Sequence, residues 1–286
     1  FCAIAPIAAR WFSVKEQGIA IAIPFVINYI ASALPFPIEN AIMNHGVTIP
    51  DILLFMAILS SVSFLTLVIF LREYPPSPPS ALASVEPEPV CQDLKTLFKD
   101  YKYLIYAFAY GSVISVGYTV ITVITEIVNP NNHHSVEAGW LGFVFNVVGA
   151  LSSLWFEKVT QRITNLDGIM KVITFVGILS FIALAICSLF KVVWLLYILI
   201  AIAGACTVGI TPICIQCGLE LSYPITEANS SQIIIIVANG LSAILNAIVS
   251  IKGMTKWAFW IMAGVLSYSL IIVYVLKFEY RRRHYE

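Results

Sequence analysis

Charge is scarce in this sequence. Asp, Glu, Lys and Arg make up 11% of its 286 residues and sum to a net charge of zero, whereas soluble domains carry about a quarter charged residues. A water-soluble globule is therefore excluded. With no basic excess, the attraction that nucleic-acid binding depends on is missing, so no nucleic-acid partner is expected. Clusters of His, Asp, Glu, Ser or Cys at nucleophile or metal-ligand spacing are also lacking inside the apolar stretches, so no enzyme, catalytic residue, metal site or cofactor is expected. The six cysteines form no framework. Cys187, Cys206, Cys214 and Cys217 stand in apolar runs, and Cys2 and Cys91 have no close partner. Cys214 and Cys217 make a C-x-x-C at helical spacing, but without a second pair they read as packing residues.

What is present is apolar. Hydrophobic residues are 59% of the chain and mean hydropathy is +0.90. Uncharged runs of about 20 residues are long enough to cross hydrocarbon as helices. They predict an all-α integral membrane protein with eight spans at 17–38, 51–71, 103–127, 138–156, 170–190, 192–217, 228–250 and 256–277. The opening run from Phe1 to Ala9 is too short to span and reads as the tail of a helix. No basic region precedes it, so it does not read as a signal peptide.

Between the second and third spans lies the segment 72–102, with Pro75, Pro76, Pro78, Pro79, Pro87 and Pro89. Proline at this density favours extended, solvated chain, so the segment reads as a linker between 1–71 and 103–286. Basic residues orient the chain. With Arg10 and Lys15 on the cytoplasmic side and sides alternating, that side receives 13 of the 16 Lys and Arg, including Arg72, Lys95, Lys99, Lys102, Lys158, Arg162, Lys171 and Arg281 to Arg283. The other side receives Lys191, Lys252 and Lys256. Linker and C-terminus are thus expected in the cytoplasm, in the plasma membrane or an organelle membrane. Six spans after such a linker match one half of a bundle built from two six-helix halves, and the two before it would be helices five and six of twelve.

Four stretches resemble one family. Ala9, Trp11, Phe12 and Glu16 form an A-x-W-F-x-x-x-E segment; Pro75 to Ser80 is a Pro-rich linker; Gly111, Ser115, Gly117 and Tyr118 lie on the third span; and Glu220, Tyr223, Pro224, Glu227, Ser230 and Ser231 form E-x-x-Y-P-x-x-E-x-x-S-S. Together they resemble the feline leukaemia virus subgroup C receptor-related family of major facilitator transporters, associated with choline and ethanolamine and, for some members, haem. The resemblance implies a major facilitator helical bundle, acting as a monomer on a small organic solute by alternating access. It also implies a cation held against aromatic faces, with Tyr118 at the family's aromatic position. Asn28 and Tyr29 stand where the family has Asn-Gln, Asn239 where it has Gln, Ile235 where it has Asn, and Thr125 and Glu126 where it has another Asn-Gln pair. A haem carrier, a carrier of another solute, a receptor without transport and a truncated product remain the alternatives.

Polar residues inside the spans are the remaining candidates. Asn28 is expected to face the bundle interior, as a ligand or in a bond between helices. Asn239, Ser242 and Asn246 share one helix face and predict a polar stripe. Pro24 and Pro35 interrupt the first span, and Gly204, Gly209 and Pro212 loosen the sixth. Glu220 and Glu227, near the cytoplasmic ends of helices, are gate candidates or solvated charges, and Glu126 is a charge at the outer mouth. His133 and His134 read as solvated loop residues. Asn229, Ser230 and Ser231 match a glycosylation acceptor, but on the cytoplasmic side. No span holds an acidic residue at its centre, so facilitated movement is expected over proton coupling through a buried carboxylate.

Overall fold

Backbone amides in hydrocarbon must be paired within their own segment, which leaves helices as the form these apolar runs take. The computed structural model describes residues 4–12, 16–37, 48–70, 90–128, 135–160, 166–190, 193–222, 225, 227–251 and 253–275. Among the described residues the helices are α1 (Ile4–Trp11), α2 (Gln17–Ala33), α3 (Ile49–Phe70), α4 (Val90–Lys99), α5 (Tyr101–Val128), α6 (Ser135–Thr160), α7 (Leu166–Phe190), α8 (Val193–Thr207), α9 (Thr211–Ser222), α10 (Glu227–Val249) and α11 (Ala258–Val275). Eight stretches are long and apolar enough to cross a membrane. Each coincides with one expected span, and α8 and α9 together make a single stretch, Trp194–Ser222.

Three details differ from the sequence reading or sharpen it. Pro24 is carried inside α2 without ending it, and Pro35 follows a single turn residue, Leu34, after which residues 35–37 are helical again. Leu34 itself keeps helical backbone, φ −58° and ψ −40°, so neither proline ends the apolar stretch Ile19–Pro37. The linker is not extended throughout: residues 90–99 form α4, since the proline run ends at Pro89. The rest of the Pro-rich segment lies outside the described residues, as do His133 and His134. Finally, the sixth span is broken at Val208–Ile210, next to Gly209 and Pro212.

α5 is the spine of the bundle, packing along α10, α11 and α6. On one flank α6 carries α2 and α8, and on the other α7 joins α8 to α11. Small residues permit the closest approach. A Cβ on Gly204 of α8 would strike the Phe145 carbonyl of α6, and one on Gly149 would meet Val208 and the Gly204 carbonyl. This backbone-to-backbone contact between helices is the packing mode membranes favour. α3 differs, with exposed large side chains all round, from Leu53 to Phe70, as suits a helix covered by lipid.

Candidate functional site

α5 presents a ladder of tyrosines at helical spacing. The Tyr103 hydroxyl donates to the Ser230 carbonyl of α10, and the Tyr106 hydroxyl donates to the Cys214 carbonyl of α9 at 2.7 Å. The Tyr106 and Tyr110 rings lie 4.8 Å apart. Further along, Ser112 meets Ser269 of α11, and the Thr119 and Ser242 hydroxyls lie 3.2 Å apart across the α5–α10 contact. Each such bond between spans is worth about 0.6 kcal/mol, so the set aligns helices more than it stabilises them.

The next tyrosine, Tyr118, comes to the break in the sixth span. There the backbone is irregular: the amides of Val208 and Gly209 both reach the Gly204 carbonyl. Hydroxyls satisfy the carbonyls this loosens. Thr211 donates to the Thr207 carbonyl at 3.3 Å, and Ser152 of α6, which donates to its own Gly149 carbonyl at 2.8 Å, also approaches the Ala205 carbonyl at 3.4 Å. The Tyr118 hydroxyl faces that of Tyr29 from α2, with the Thr211 hydroxyl beside them. Neither phenol oxygen has an aligned hydrogen bond, and both are buried. Phe25 backs Tyr29 with ring centroids 6.4 Å apart. Tyr29 is 3% exposed, whereas Tyr118 is half-buried and keeps part of its ring accessible.

The expected site residues thus separate. Tyr29 and Tyr118 come together. Ser242 is buried against α5, and Asn246 beyond it is half-buried, with its Oδ1 enclosed and unpartnered. Asn239 is exposed and donates to the Ile235 carbonyl at 2.9 Å. Asn28 is exposed among the described residues. Phe25 and Tyr29 occupy the packed face of α2, and a step of about 100° per residue turns Asn28 away from it. Glu220 is buried at the end of α9 rather than solvated. Glu227 opens α10, with its side chain outside what is described, and Glu126 is exposed near the end of α5. Cys214 and Cys217 are buried in α9. Asn229 donates from its amide to Asp93 at 2.9 Å.

Thr211 escaped the sequence reading, although Gly209 and Pro212 on either side of it were the signal.

A profile of the Major Facilitator Superfamily matches residues 1–247. The chain belongs to that superfamily. It is a multi-pass membrane protein from a superfamily of transporters, not enzymes. Its curated relatives include the solute carrier family 49 member 4 homolog of Xenopus laevis, 21% identical over 301 residues that cover 96% of this chain and 66% of that protein. They also include the choline/ethanolamine transporter flvcr2a of Danio rerio, 25% identical over 250 residues, covering 80% of this chain and 52% of the relative. The choline/ethanolamine transporter FLVCR1 of Felis catus is 24% identical, with 80% and 43% covered. The names are those of the family that the Trp-Phe and Tyr-Pro motifs resemble, and the chain spans about half to two-thirds of these relatives' length. Among solved structures, the fucose:proton symporter of E. coli superposes with a TM-score of 0.64 over 96% of this chain and 72% of its own, at 11% identity. That likeness concerns the fold alone.

Proposed function

We propose that this superfamily member carries a small organic cation of the choline or ethanolamine type by facilitated, alternating access. The observation that carries the reading is the pair of buried phenol hydroxyls without aligned partners at the helix break, Tyr29 and Tyr118, beside a partly accessible Tyr118 ring. A quaternary ammonium offers no hydrogen-bond donor, so ring quadrupoles must replace part of its hydration, at about 0.5 to 2 kcal/mol per ring. The Tyr118 face supplies such a ring. The two phenols and the Thr211 hydroxyl lie close but poorly aligned, and a solute hydroxyl among them would complete their hydrogen bonding. The charge and the hydroxyl of one small solute are thereby recognised at adjacent points. Relatives named as choline/ethanolamine transporters support the same class.

In this reading Asn239, Ser242 and Asn246 line the path along α10, Asn28 belongs to it from α2, and Glu220 with Glu227 guards the cytoplasmic mouth while Glu126 guards the outer one. The carrier works as a monomer, with residues 1–71 and 103–286 in its two halves. Its linker and C-terminus are cytoplasmic. Equilibrium binding of labelled choline to the purified full-length protein tests the site. Tyr118→Ala is expected to weaken binding about 2- to 30-fold, and Tyr118→Phe to keep the cation contribution. Equal affinity in wild type and Tyr118→Ala would overturn the assignment.

A further inference from the structure

The helix found inside the linker has three distinct faces. One points into the bundle: Asp93 and Leu97 are buried, and the Asp93 carboxylate accepts the Asn229 amide of α10 at 2.9 Å. A second runs through half-buried Leu94 to Phe98, which is 64% exposed, and on to Tyr101, 63% exposed. The third carries Lys95, Thr96 and Lys99, all exposed.

The position of α4 along the membrane normal follows from what comes next. At Asp100 the chain turns almost without interruption into α5: the Asp100 amide reaches the Thr96 and Leu97 carbonyls, and its own carbonyl accepts from Leu104. Its side chain caps α5 by accepting from the amides of Lys102 and Tyr103 at 3.1 and 3.3 Å. The membrane-crossing stretch begins at Tyr101. α4 is therefore held at the edge of the hydrocarbon, with a protein face, an apolar face and a cationic face around one helix. Asp93 is turned inward onto Asn229, and Asp100 onto the amides of Lys102 and Tyr103.

We propose that α4 and the first turn of α5 form a docking element for anionic phospholipid, with Phe98 and Tyr101 at the acyl boundary and Lys95, Lys99 and Lys102 on the headgroup phosphates. Aromatic side chains settle at this depth, and lysines beside an anionic leaflet each add attraction. The Asp93–Asn229 bond ties the docked helix to α10, so lipid composition acts on a helix of the bundle itself. Placement at the cytoplasmic leaflet rests on the orientation proposed above; the headgroup chemistry does not.

The test uses the purified full-length protein in nanodiscs of phosphatidylcholine with or without phosphatidylserine, with co-retained lipid read by native mass spectrometry. Wild type is expected to retain phosphatidylserine in preference to phosphatidylcholine. K95Q/K99Q/K102Q should lose that preference at least tenfold, at about fivefold per lysine. The triple Lys→Arg variant should keep it, which separates charge from folding. No preference in wild type, an unchanged preference in the Gln variant, or its loss in the Arg variant would each overturn the proposal.

Discussion

In the proposed reading Tyr118 and Tyr29 divide the recognition of a choline-like solute between them, and the division can be tested one atom at a time. The Tyr29 hydroxyl is buried beside those of Tyr118 and Thr211 without a well-aligned bond, and in this reading a hydrogen bond from it to the solute is worth about 0.5 to 1.5 kcal/mol. Tyr29→Phe is predicted to weaken choline binding about 2- to 12-fold and to leave a hydroxyl-free tetraalkylammonium unaffected, as competition binding would show. Equal losses for both ligands would mean that Tyr29 acts through packing. Tyr118 was legible in the sequence because a motif of glycines and serines surrounds it. Thr211 was not, since a threonine beside a proline is common in helix starts and its meaning depends on α2 lying opposite. Asn28 and Tyr29 are one residue apart, and the packing of Phe25 decides that Tyr29 is the buried one of the two.

At the scale of the helix, the approach of α6 and α8 sets how steady the broken span is. Gly204 faces the Phe145 backbone, which cannot move aside as a flexible side chain would. Gly204→Val is predicted to destabilise the protein by about 1 to 3 kcal/mol through overpacking. Gly240 of α10 is the control, since a Cβ there meets nothing within 4 Å. Gly240→Ala is predicted to hold or raise the thermal midpoint, because alanine favours helix by about 1 kcal/mol. Matching midpoints for the two variants would refute the packing argument. The eight spans were legible because length and apolarity are properties of the chain alone. The break was legible as a weakness from Gly209 and Pro212, but its limits depend on the hydroxyls of Thr211 and Ser152 that take up the loosened carbonyls. α4 was hidden by its neighbours, since the prolines up to Pro89 dominate the reading of a segment whose last third is helical.

For the whole molecule, the carboxylates among the described residues bear on the proposed facilitated movement. Asp93, Glu157 and Glu220 are buried, and each stands near a helix end rather than at the middle of a span. Among the described residues, a proton path through the bilayer centre meets no carboxylate. Solute uptake is therefore predicted to persist when the proton gradient is dissipated at fixed membrane potential, and its collapse would contradict facilitated movement. The superfamily fold was legible from span count, linker and motifs together. Solute identity was not, because it depends on which side chains from separate helices meet at the break. Uptake of labelled choline and ethanolamine by cells expressing the full-length protein, with Tyr118→Ala beside it at matched surface expression, tests the central claim most directly. The account predicts saturable uptake that the substitution abolishes or strongly reduces. Absence of uptake by well-expressed wild type, or uptake indifferent to Tyr118→Ala, would contradict it.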